Sequence, residues 1–210
     1  MAYLALVRHG QSTYNEKGVW AGKTDVPLTP QGEEEAKKAG EAIADLSFDT
    51  AYTSNLIRAK KTLEIIKSTL RNPLLQEIIS SAISERDYGD LTGKNKWEMQ
   101  KELGEGLFMK YRRSWDFPPP HGESLKDVYD RVLPYFKEEI LPQLIAGKNI
   151  LICAHGNSLR ALIKYLDNIS DENIPKFEIA TGEVYLYNLD NNGAIVSKKV
   201  RSINQNRGKQ

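Results

Sequence analysis

The sequence has a single cysteine, no long hydrophobic run and no excess of one charge. Cys153 is the only cysteine among 210 residues, which excludes an intramolecular disulfide and is typical of a reducing compartment. Lysine and arginine number 29 against 28 acidic residues, so the formal net charge of +1 predicts no nucleic-acid-binding surface. The apolar stretch in MAYLALVRHG is too short for a membrane span, and no basic segment precedes it as in a signal peptide. We therefore expect a cytoplasmic protein without nucleic-acid or membrane partners.

Strand-like and helix-like segments alternate along the chain. Residues 2–7, the segment FDTAYTS and the segment NILICA predict strands. Thr29-Pro30 is typical of a helix start, and Ser54 can cap a second helix. A further amphipathic helix follows Gly122, with Pro134 expected to kink or divide it, and NSLRALIKYL predicts another. The segment EVYLYNLDNNGAIVSKKV predicts a hairpin of two strands.

This alternation predicts an α/β fold with three layers, α/β/α, around a mostly parallel sheet that has an antiparallel element near the C-terminus. We place a single domain at residues 1–201, because no linker interrupts them. Residues 84–120 have weak periodicity, and we expect an excursion from the core there. Residues 202–210 are polar and are expected to form a mobile tail.

Two predicted strands end in similar words, LALVRHGQS and LICAHGNS. Ligands in open α/β sheets bind outside the carboxyl ends of the strands, so we expect His9 and His155 to lie at one rim. Gly10 and Gly156 permit tight turns there, and backbone N–H groups at the following helix starts would face an anion. The repeated motif therefore predicts that the two segments form the two halves of one anion-binding site.

Two arginines indicate that this anion is a phosphate. Arg58 lies in the first turn of its predicted helix, where a cation is unfavourable unless an anion offsets it. Arg8 adds a second guanidinium beside His9, and like charge would lower the pKa of that histidine and keep it a neutral nucleophile. Each residue alone has a simpler interpretation, since a lone histidine at a strand end is usually a structural hydrogen-bonding group and an arginine is usually solvated. Their joint occurrence favours a site.

Five segments carry a resemblance to a known family: LVRHGQSTYN, YTSNLIRAKKTL, SERDYGDLTGKNK, YRRSWD and AHGNSLRALIKYLD. The chain resembles the histidine phosphatase superfamily and, within it, the phosphoglycerate mutases that depend on 2,3-bisphosphoglycerate. The resemblance covers the chain to about residue 190 and implies a phosphoglycerate mutase-like fold.

The resemblance also implies residue roles. His9 would be the nucleophile that becomes phosphohistidine, with Arg8, Arg58 and His155 around the transferred group and Glu85 as proton donor and acceptor. Substrate or phosphate oxygens would be held by Ser12, Asn15, Ala21, Gly22, Tyr88, Lys96, Arg112, Arg113, Gly156 and Asn157.

The implied activity is interconversion of 2- and 3-phosphoglycerate in glycolysis and gluconeogenesis, with 2,3-bisphosphoglycerate as the phosphoryl primer. No metal is expected, because the few histidines and the cysteine lack metal-ligand spacing. A homodimer is possible. Two alternatives stay open: a phosphohistidine-based phosphatase acting on small metabolites, and a noncatalytic phospho-ligand binding protein. Lys96, Arg112 and Arg113 favour the mutase, while the short segment after Arg113 and the short tail favour the phosphatase.

Overall fold

Strands from both halves of the chain form one six-stranded sheet in the computed structural model, which describes residues 1–202. The strands are β1 (Ala2–Arg8), β2 (Thr50–Thr53), β3 (Gln76–Ile79), β4 (Ile150–Ala154), β5 (Val184–Leu189) and β6 (Ile195–Ser202). Their order across the sheet is β3-β2-β4-β1-β5-β6. The strands β3, β2, β4 and β1 pair in parallel, whereas β5 pairs antiparallel with both of its neighbours, β1 and β6.

Seven α-helices connect or follow these strands within residues 1–202. They are α1 (Thr13–Glu16), α2 (Pro30–Glu41), α3 (Ile57–Thr69), α4 (Lys96–Arg113), α5 (Leu125–Tyr135), α6 (Leu141–Ile145) and α7 (Gly156–Leu166). Short 3₁₀ turns occur at Ser81–Ile83, Gly89–Leu91 and Ile174–Lys176. None of the described helices is both long and apolar enough to cross a membrane.

Alternating residues of the central strand β1 bury two separate cores. Leu4 and Leu6 pack in a cluster with apolar residues of α5 and α7. Ala5 and Val7 belong to a second cluster that includes residues of α2 and α3. Because successive strand side chains point to opposite faces, one strand supports both helical layers. The predicted three-layer α/β/α fold with a mostly parallel sheet is confirmed.

The predicted C-terminal hairpin is also confirmed. The chain turns between β5 and β6 at Asp190, whose backbone oxygen accepts from Gly193 N at 3.0 Å. Gly193 has φ of 80°, a conformation that glycine adopts without steric cost. The strand β6 extends to Ser202, the first residue assigned to the polar tail. Residues 203–210 of that expected tail lie outside the described part of the chain.

One predicted helix cap is confirmed and another is wrong. Thr29 caps α2, its hydroxyl oxygen accepting from Gly32 N at 3.1 Å. Ser54 is not the N-cap of α3, which begins three residues later and has Leu56 at the N-cap without a side-chain bond. Ser54 Oγ accepts from Leu56 N at 3.2 Å, so the serine shapes the turn before the helix instead.

The sequence did not predict β3 or α4. Three of the four residues of β3 are exposed at the sheet edge, which leaves no burial pattern to detect. The helix α4 lies within the expected excursion at residues 84–120 and is broken at Gly104 (φ 75°, ψ 155°), which interrupts its apolar periodicity. The helix α5 continues through Pro134 to Tyr135, and the expected division follows as a π-helical turn at Phe136–Ile140.

Candidate active site

His9 and His155 lie side by side at one edge of the sheet. Each directly follows its strand, and β1 pairs in parallel with β4 so that Arg8 is opposite Ala154. His9 N donates to the Ala154 carbonyl at 2.9 Å, and the two imidazole centroids are 5.0 Å apart. Both side chains are at least 98% buried. The predicted meeting of the two histidines at one rim therefore occurs in the structure.

The hydrogen bond of His9 determines which ring nitrogen is free. Nδ1 lies 2.7 Å from the Gly10 carbonyl oxygen, which can only accept, so Nδ1 carries the proton and Nε2 has the lone pair. Burial lowers the pKa of His9 well below its ordinary value, with smaller contributions from the charges of Arg58 and Arg8. The sequence indicated only that like charge lowers this pKa, whereas burial is the larger cause of a neutral, nucleophilic imidazole.

His155 contacts Ser54, the serine that the sequence predicted to cap a helix. Its Nε2 lies 2.6 Å from Ser54 Oγ, so the two side chains form a buried hydrogen bond. The pKa of His155 is lowered by burial first and then by the charge of Arg58. Ser54 is therefore a site residue that sequence analysis missed.

Two arginines flank the histidines. Arg58 lies in the first turn of α3 as predicted, is buried, and donates to the carbonyls of Gly22 and Thr24, both at 2.8 Å. Arg8 donates from Nη1 to the Ile179 carbonyl at 2.5 Å. Its Nε is buried and has no partner in the described part of the chain. An unpartnered guanidinium N–H beside a neutral histidine suits an oxygen anion.

Two of the backbone N–H groups near the histidine turns, those of Gly10 and Asn157, already donate within the protein. Gly10 N donates to Thr62 Oγ1 at 3.1 Å. Asn157 N donates to Glu85 Oε1 at 3.1 Å, so the anion at the start of α7 is a carboxylate of the chain itself. The helix start that follows His9 is α1, only four residues long and capped by Ser12.

Glu85 presents one oxygen to the protein and has the other free for chemistry. Oε1 accepts from Arg86 N at 2.8 Å and from the backbone and side-chain nitrogens of Asn157 at 3.1 and 3.0 Å. Oε2 accepts no hydrogen bond from residues 1–202 and lies close to Gly156, 3.6 Å from the position a Cβ would take there. Asn157 Nδ2 also donates to Tyr88 Oη at 3.0 Å. The carboxylate is therefore oriented before any ligand binds.

Two adjoining cavities open onto these groups. An inner cavity of about 60 Å³ is lined by His9 and Arg58 together with Asn15, Ala21 and Gly22. An outer cavity of about 90 Å³ is lined by Arg112, Arg113, Gly156 and Asn157. Both share walls formed by Arg8, Trp20, Glu85, Tyr88 and Lys96. Thirteen of the fifteen predicted site residues thus line one of the two cavities.

The other two predicted site residues lie behind the cavity walls. His155 is fully buried next to His9. Ser12 is also fully buried, and its hydroxyl donates to Asn15 Oδ1 at 2.8 Å. Ser12 therefore orients Asn15 in this structure, and a direct phosphate contact of its hydroxyl stays a prediction.

The outer cavity concentrates positive charge. Lys96 is 8% exposed, and burial together with Arg112, Arg8 and Arg113 lowers its pKa to about 7. Burial and Arg112 lower the pKa of Arg113 to about 10. Arg113 forms an ion pair with Glu178, which also lines this cavity. So many close cations favour a ligand with several negative charges.

Sequence reasoning did not identify Trp20, Arg160 and Glu178, which line the outer cavity. Trp20 and Glu178 lie outside the motifs that resemble the family. Arg160 lies within one of them, the segment AHGNSLRALIKYLD. Its position one turn after Asn157 on a predicted helix was an available signal.

The same groups also form a candidate metal-ligand set. One ring nitrogen from each of His9 and His155 and a carboxylate oxygen of Glu85 lie within 4.8 Å of one another. Such donors suit zinc, but the guanidinium groups of Arg8 and Arg58 flank the same space. Two fixed positive charges oppose a cation there and favour an anion.

Comparisons with known proteins identify the family of this chain. The family model of the histidine phosphatase superfamily (branch 1) matches residues 4–201. A curated relative from Parvibaculum lavamentivorans, named 2,3-bisphosphoglycerate-dependent phosphoglycerate mutase, is 49% identical over 94% of this chain and 95% of its own. A protein of the same name from Methylocella silvestris is 46% identical over 94% of this chain and 97% of its own.

Solved structures share the fold. The alpha-ribazole phosphatase from Shigella flexneri superposes with a TM-score of 0.80 and 26% identity over 95% of this chain and 96% of its own. YhfR from Bacillus stearothermophilus has a TM-score of 0.81 and 24% identity over 93% and 94% of the two chains, and this likeness concerns the fold alone. With a family model over almost the whole chain and relatives near half identity, the chain belongs to branch 1 of the histidine phosphatase superfamily and, within it, to the 2,3-bisphosphoglycerate-dependent phosphoglycerate mutase family.

Proposed function

We propose that the protein interconverts 2-phosphoglycerate and 3-phosphoglycerate, a step of glycolysis and gluconeogenesis, with His9 as the nucleophile. The observation that carries the proposal is the junction of two cavities, one with a buried neutral histidine and Arg58, the other with Lys96, Arg112 and Arg113. A simple phosphate ester needs the first cavity only, whereas a substrate with two anionic ends uses both. The names of the curated relatives support the same activity.

His9 and Glu85 carry the two transfers. In the first, the Nε2–P bond of phosphorylated His9 breaks while a P–O bond forms to the free hydroxyl oxygen of the monophosphoglycerate, and Glu85 Oε2 takes the hydroxyl proton. In the second, His9 Nε2 attacks the other phosphorus of the bound bisphosphate, and Glu85 returns the proton to the leaving oxygen. Phosphoryl group and proton are both restored at the end of the cycle.

The cations divide into two groups by task. Arg8 and Arg58, with His155, stabilise the charge on the equatorial oxygens during transfer. Lys96, Arg112 and Arg113 hold the second anionic end, each charged hydrogen bond contributing roughly 1.5–3 kcal/mol. Further substrate or phosphate oxygens are held by Ser12, Asn15, Ala21, Gly22, Tyr88, Gly156 and Asn157.

The primer fits the same residues. The phosphoryl group that first loads His9 is supplied by 2,3-bisphosphoglycerate when that molecule is bound. The unpartnered Nε of Arg8 is a donor for one phosphate, and Lys96, Arg112 and Arg113 would hold the other. Glu85 acts as the acid in this loading step, as in the second transfer.

A phosphatase is the second candidate. The alpha-ribazole phosphatase from Shigella flexneri matches nearly the whole chain at 26% identity, and a phosphatase needs only the inner cavity and a water. The two activities differ in where the phosphoryl group goes, to a substrate hydroxyl or to water.

One assay separates these functions. The purified protein is incubated with 3-phosphoglycerate, with and without catalytic 2,3-bisphosphoglycerate and in the presence of EDTA, and 2-phosphoglycerate and free phosphate are measured separately. We expect 2-phosphoglycerate, stimulated by the bisphosphate, with little phosphate release. Phosphate release without 2-phosphoglycerate would support the phosphatase and exclude the mutase.

The role of His9 has its own test. We expect His9→Ala to abolish acid-labile labelling by radiolabelled 2,3-bisphosphoglycerate, because Nε2 is the only atom proposed to carry the phosphoryl group. His121→Ala is the matched control, since that exposed histidine pairs with Asp90 and lines neither cavity. Acid-labile label that persists in His9→Ala would refute the assignment.

A further inference from the structure

A buried arginine lies one helical turn beyond Asn157. Arg160 is 4% exposed on α7 and donates from Nη1 to Asn157 Oδ1 at 2.9 Å. Its Nη2 donates to the Ile174 carbonyl at 2.8 Å, which fixes the guanidinium from the other side. Arg160 is not among the site residues that the sequence predicted.

Arg160 determines the orientation of the Asn157 amide. A guanidinium has only donors, so the amide oxygen of Asn157 must face it. The amide nitrogen then faces Glu85 Oε1 and Tyr88 Oη, both at 3.0 Å. A half-turn of this amide would place its oxygen against the carboxylate and its nitrogen against the guanidinium, so that two favourable contacts would become repulsive.

The orientation of Asn157 in turn orients Glu85. Three N–H groups hold Oε1, two of them from Asn157. We propose that Arg160 is a positioning residue for proton transfer: it holds Asn157 so that Glu85 Oε1 is anchored and Oε2 meets the substrate hydroxyl. The inference rests on the proposed function, in which Oε2 takes the hydroxyl proton as the P–O bond forms and returns it in the second transfer.

Direct binding of substrate by Arg160 is the competing role, because its side chain also lines the outer cavity. Nη1 and Nη2 each already donate to the protein, whereas Nε is buried and has no partner among residues 1–202, which leaves at most this one N–H group for a ligand. Lys96, Arg112 and Arg113 line the same cavity and supply the cations that a second anionic end requires. The hydrogen bonds of Arg160 therefore favour positioning over substrate binding.

The two roles predict opposite kinetic effects. We expect Arg160→Met to lower kcat by about 10- to 100-fold while KM for 3-phosphoglycerate changes little, since misplacing a catalytic group by about 1 Å has effects of this size. Arg160→Lys keeps one donor for Asn157 Oδ1 and should restore part of kcat. Lys164→Met, one turn further along α7 and lining neither cavity, is the matched control and should keep both constants.

A double-mutant cycle tests the route through Glu85. The rate of His9 labelling by radiolabelled 2,3-bisphosphoglycerate is measured in single turnover for Arg160→Met, Glu85→Gln and the double variant. We expect the double variant to be no slower than Glu85→Gln, because residues that act as a unit are not additive. Additive losses, or a rise in KM with kcat retained, would overturn the positioning role.

Failure of this inference is distinct from failure of the proposed function. A wild-type protein that makes no 2-phosphoglycerate would contradict the function itself. An active wild type with unchanged kcat in Arg160→Met or, if that variant does not fold, in Arg160→Leu, which also lacks a donor for Asn157 Oδ1, would contradict only the inference. Thermal midpoints of all variants are recorded so that kcat is compared among folded proteins.

Discussion

Lys96 is a lysine in an unusual environment for its charge. It begins α4, is nearly buried, and is surrounded by three arginines that with burial lower its pKa to about 7. Near neutral pH the empty site therefore contains a mixture of protonated and neutral Lys96. A bound anion stabilises the protonated form, so ligand binding and proton uptake are linked at this residue.

We expect KM for 3-phosphoglycerate to rise as pH increases above about 7, because binding must then protonate Lys96. Kinetics from about pH 6 to about pH 9 and calorimetry in buffers of different ionisation enthalpy measure this. Lys96→Arg should lose the dependence, since a guanidinium stays charged throughout. A wild-type KM that is constant over this range would contradict the linkage.

The same shift has a consequence for stability. The pKa of Lys96 falls from 10.5 in the reference state to about 7 in the folded chain. Between these values the unfolded chain binds more protons, so the contribution of Lys96 to the free energy of unfolding rises with pH across that window.

Glu178 is the acid paired with Arg113 in the outer cavity. We expect Glu178→Gln to lower KM for 3-phosphoglycerate by about two- to fivefold, because a partly exposed ion pair contributes up to about 1 kcal/mol that the substrate no longer has to displace. Asp45→Asn is the matched control, since it removes the Asp45–Arg201 pair outside both cavities. A higher KM in Glu178→Gln would mean that the pair orients Arg113 for binding.

At the scale of elements, the start of α2 supports the turn that carries His9. The two backbones touch directly: a Cβ on Gly10 would lie 2.0 Å from Gly32 O, and one on Gly32 would lie 2.0 Å from Gln11 O. Thr29 N also donates to Gln11 O at 2.9 Å. The position of His9 therefore depends on a helix that contributes no side chain to the cavity walls.

We expect Gly32→Ala to lower kcat by about 100-fold through displacement of this turn. It should also lower the free energy of unfolding by about 1–3 kcal/mol, as overpacking does. Urea unfolding and steady-state kinetics measure both effects. Gly106→Ala on α4, where a Cβ meets no atom within 4 Å, is the control and should be neutral or stabilising by up to about 1 kcal/mol. Wild-type kinetics in Gly32→Ala would show that the turn does not depend on this contact.

At the scale of the whole molecule, charge is balanced overall and concentrated locally. The formal net charge is +1, yet five cationic side chains line the outer cavity: Arg8, Lys96, Arg112, Arg113 and Arg160. The single cysteine, by contrast, lies in an apolar environment, in β4 at the centre of the sheet. Burial there raises the pKa of the Cys153 thiol. A thiol there can react only when the sheet opens.

Cys153 therefore reports global unfolding. We expect no reaction with a thiol reagent in native buffer and rapid reaction in urea. Saturating 2,3-bisphosphoglycerate at about 100 times its Kd should slow labelling by about 100-fold, because ligand bound only to the folded state stabilises it by about 2.7 kcal/mol. Rapid labelling of the native protein, compared with a Cys153→Ala control for background, would contradict burial of this residue.

The sequence by itself determined the fold class and most of the residues around the cavities. Alternating strand and helix signals predicted the three layers, and the words RHG and AHG predicted two histidines at strand ends, because the carboxyl ends of neighbouring parallel strands share one edge. Single-domain organisation of residues 1–201 and a possible homodimer stay predictions.

Only the tertiary structure decided how the predicted residues work together. Burial, which no local pattern measures, is the main cause of the lowered pKa values of His9 and Lys96. Contacts between distant segments brought Ser54 to His155 and Glu178 to Arg113, and nothing within either segment indicates its partner. The repeated His-Gly motif identified two histidines, but only the pairing of β1 with β4 places them in one site.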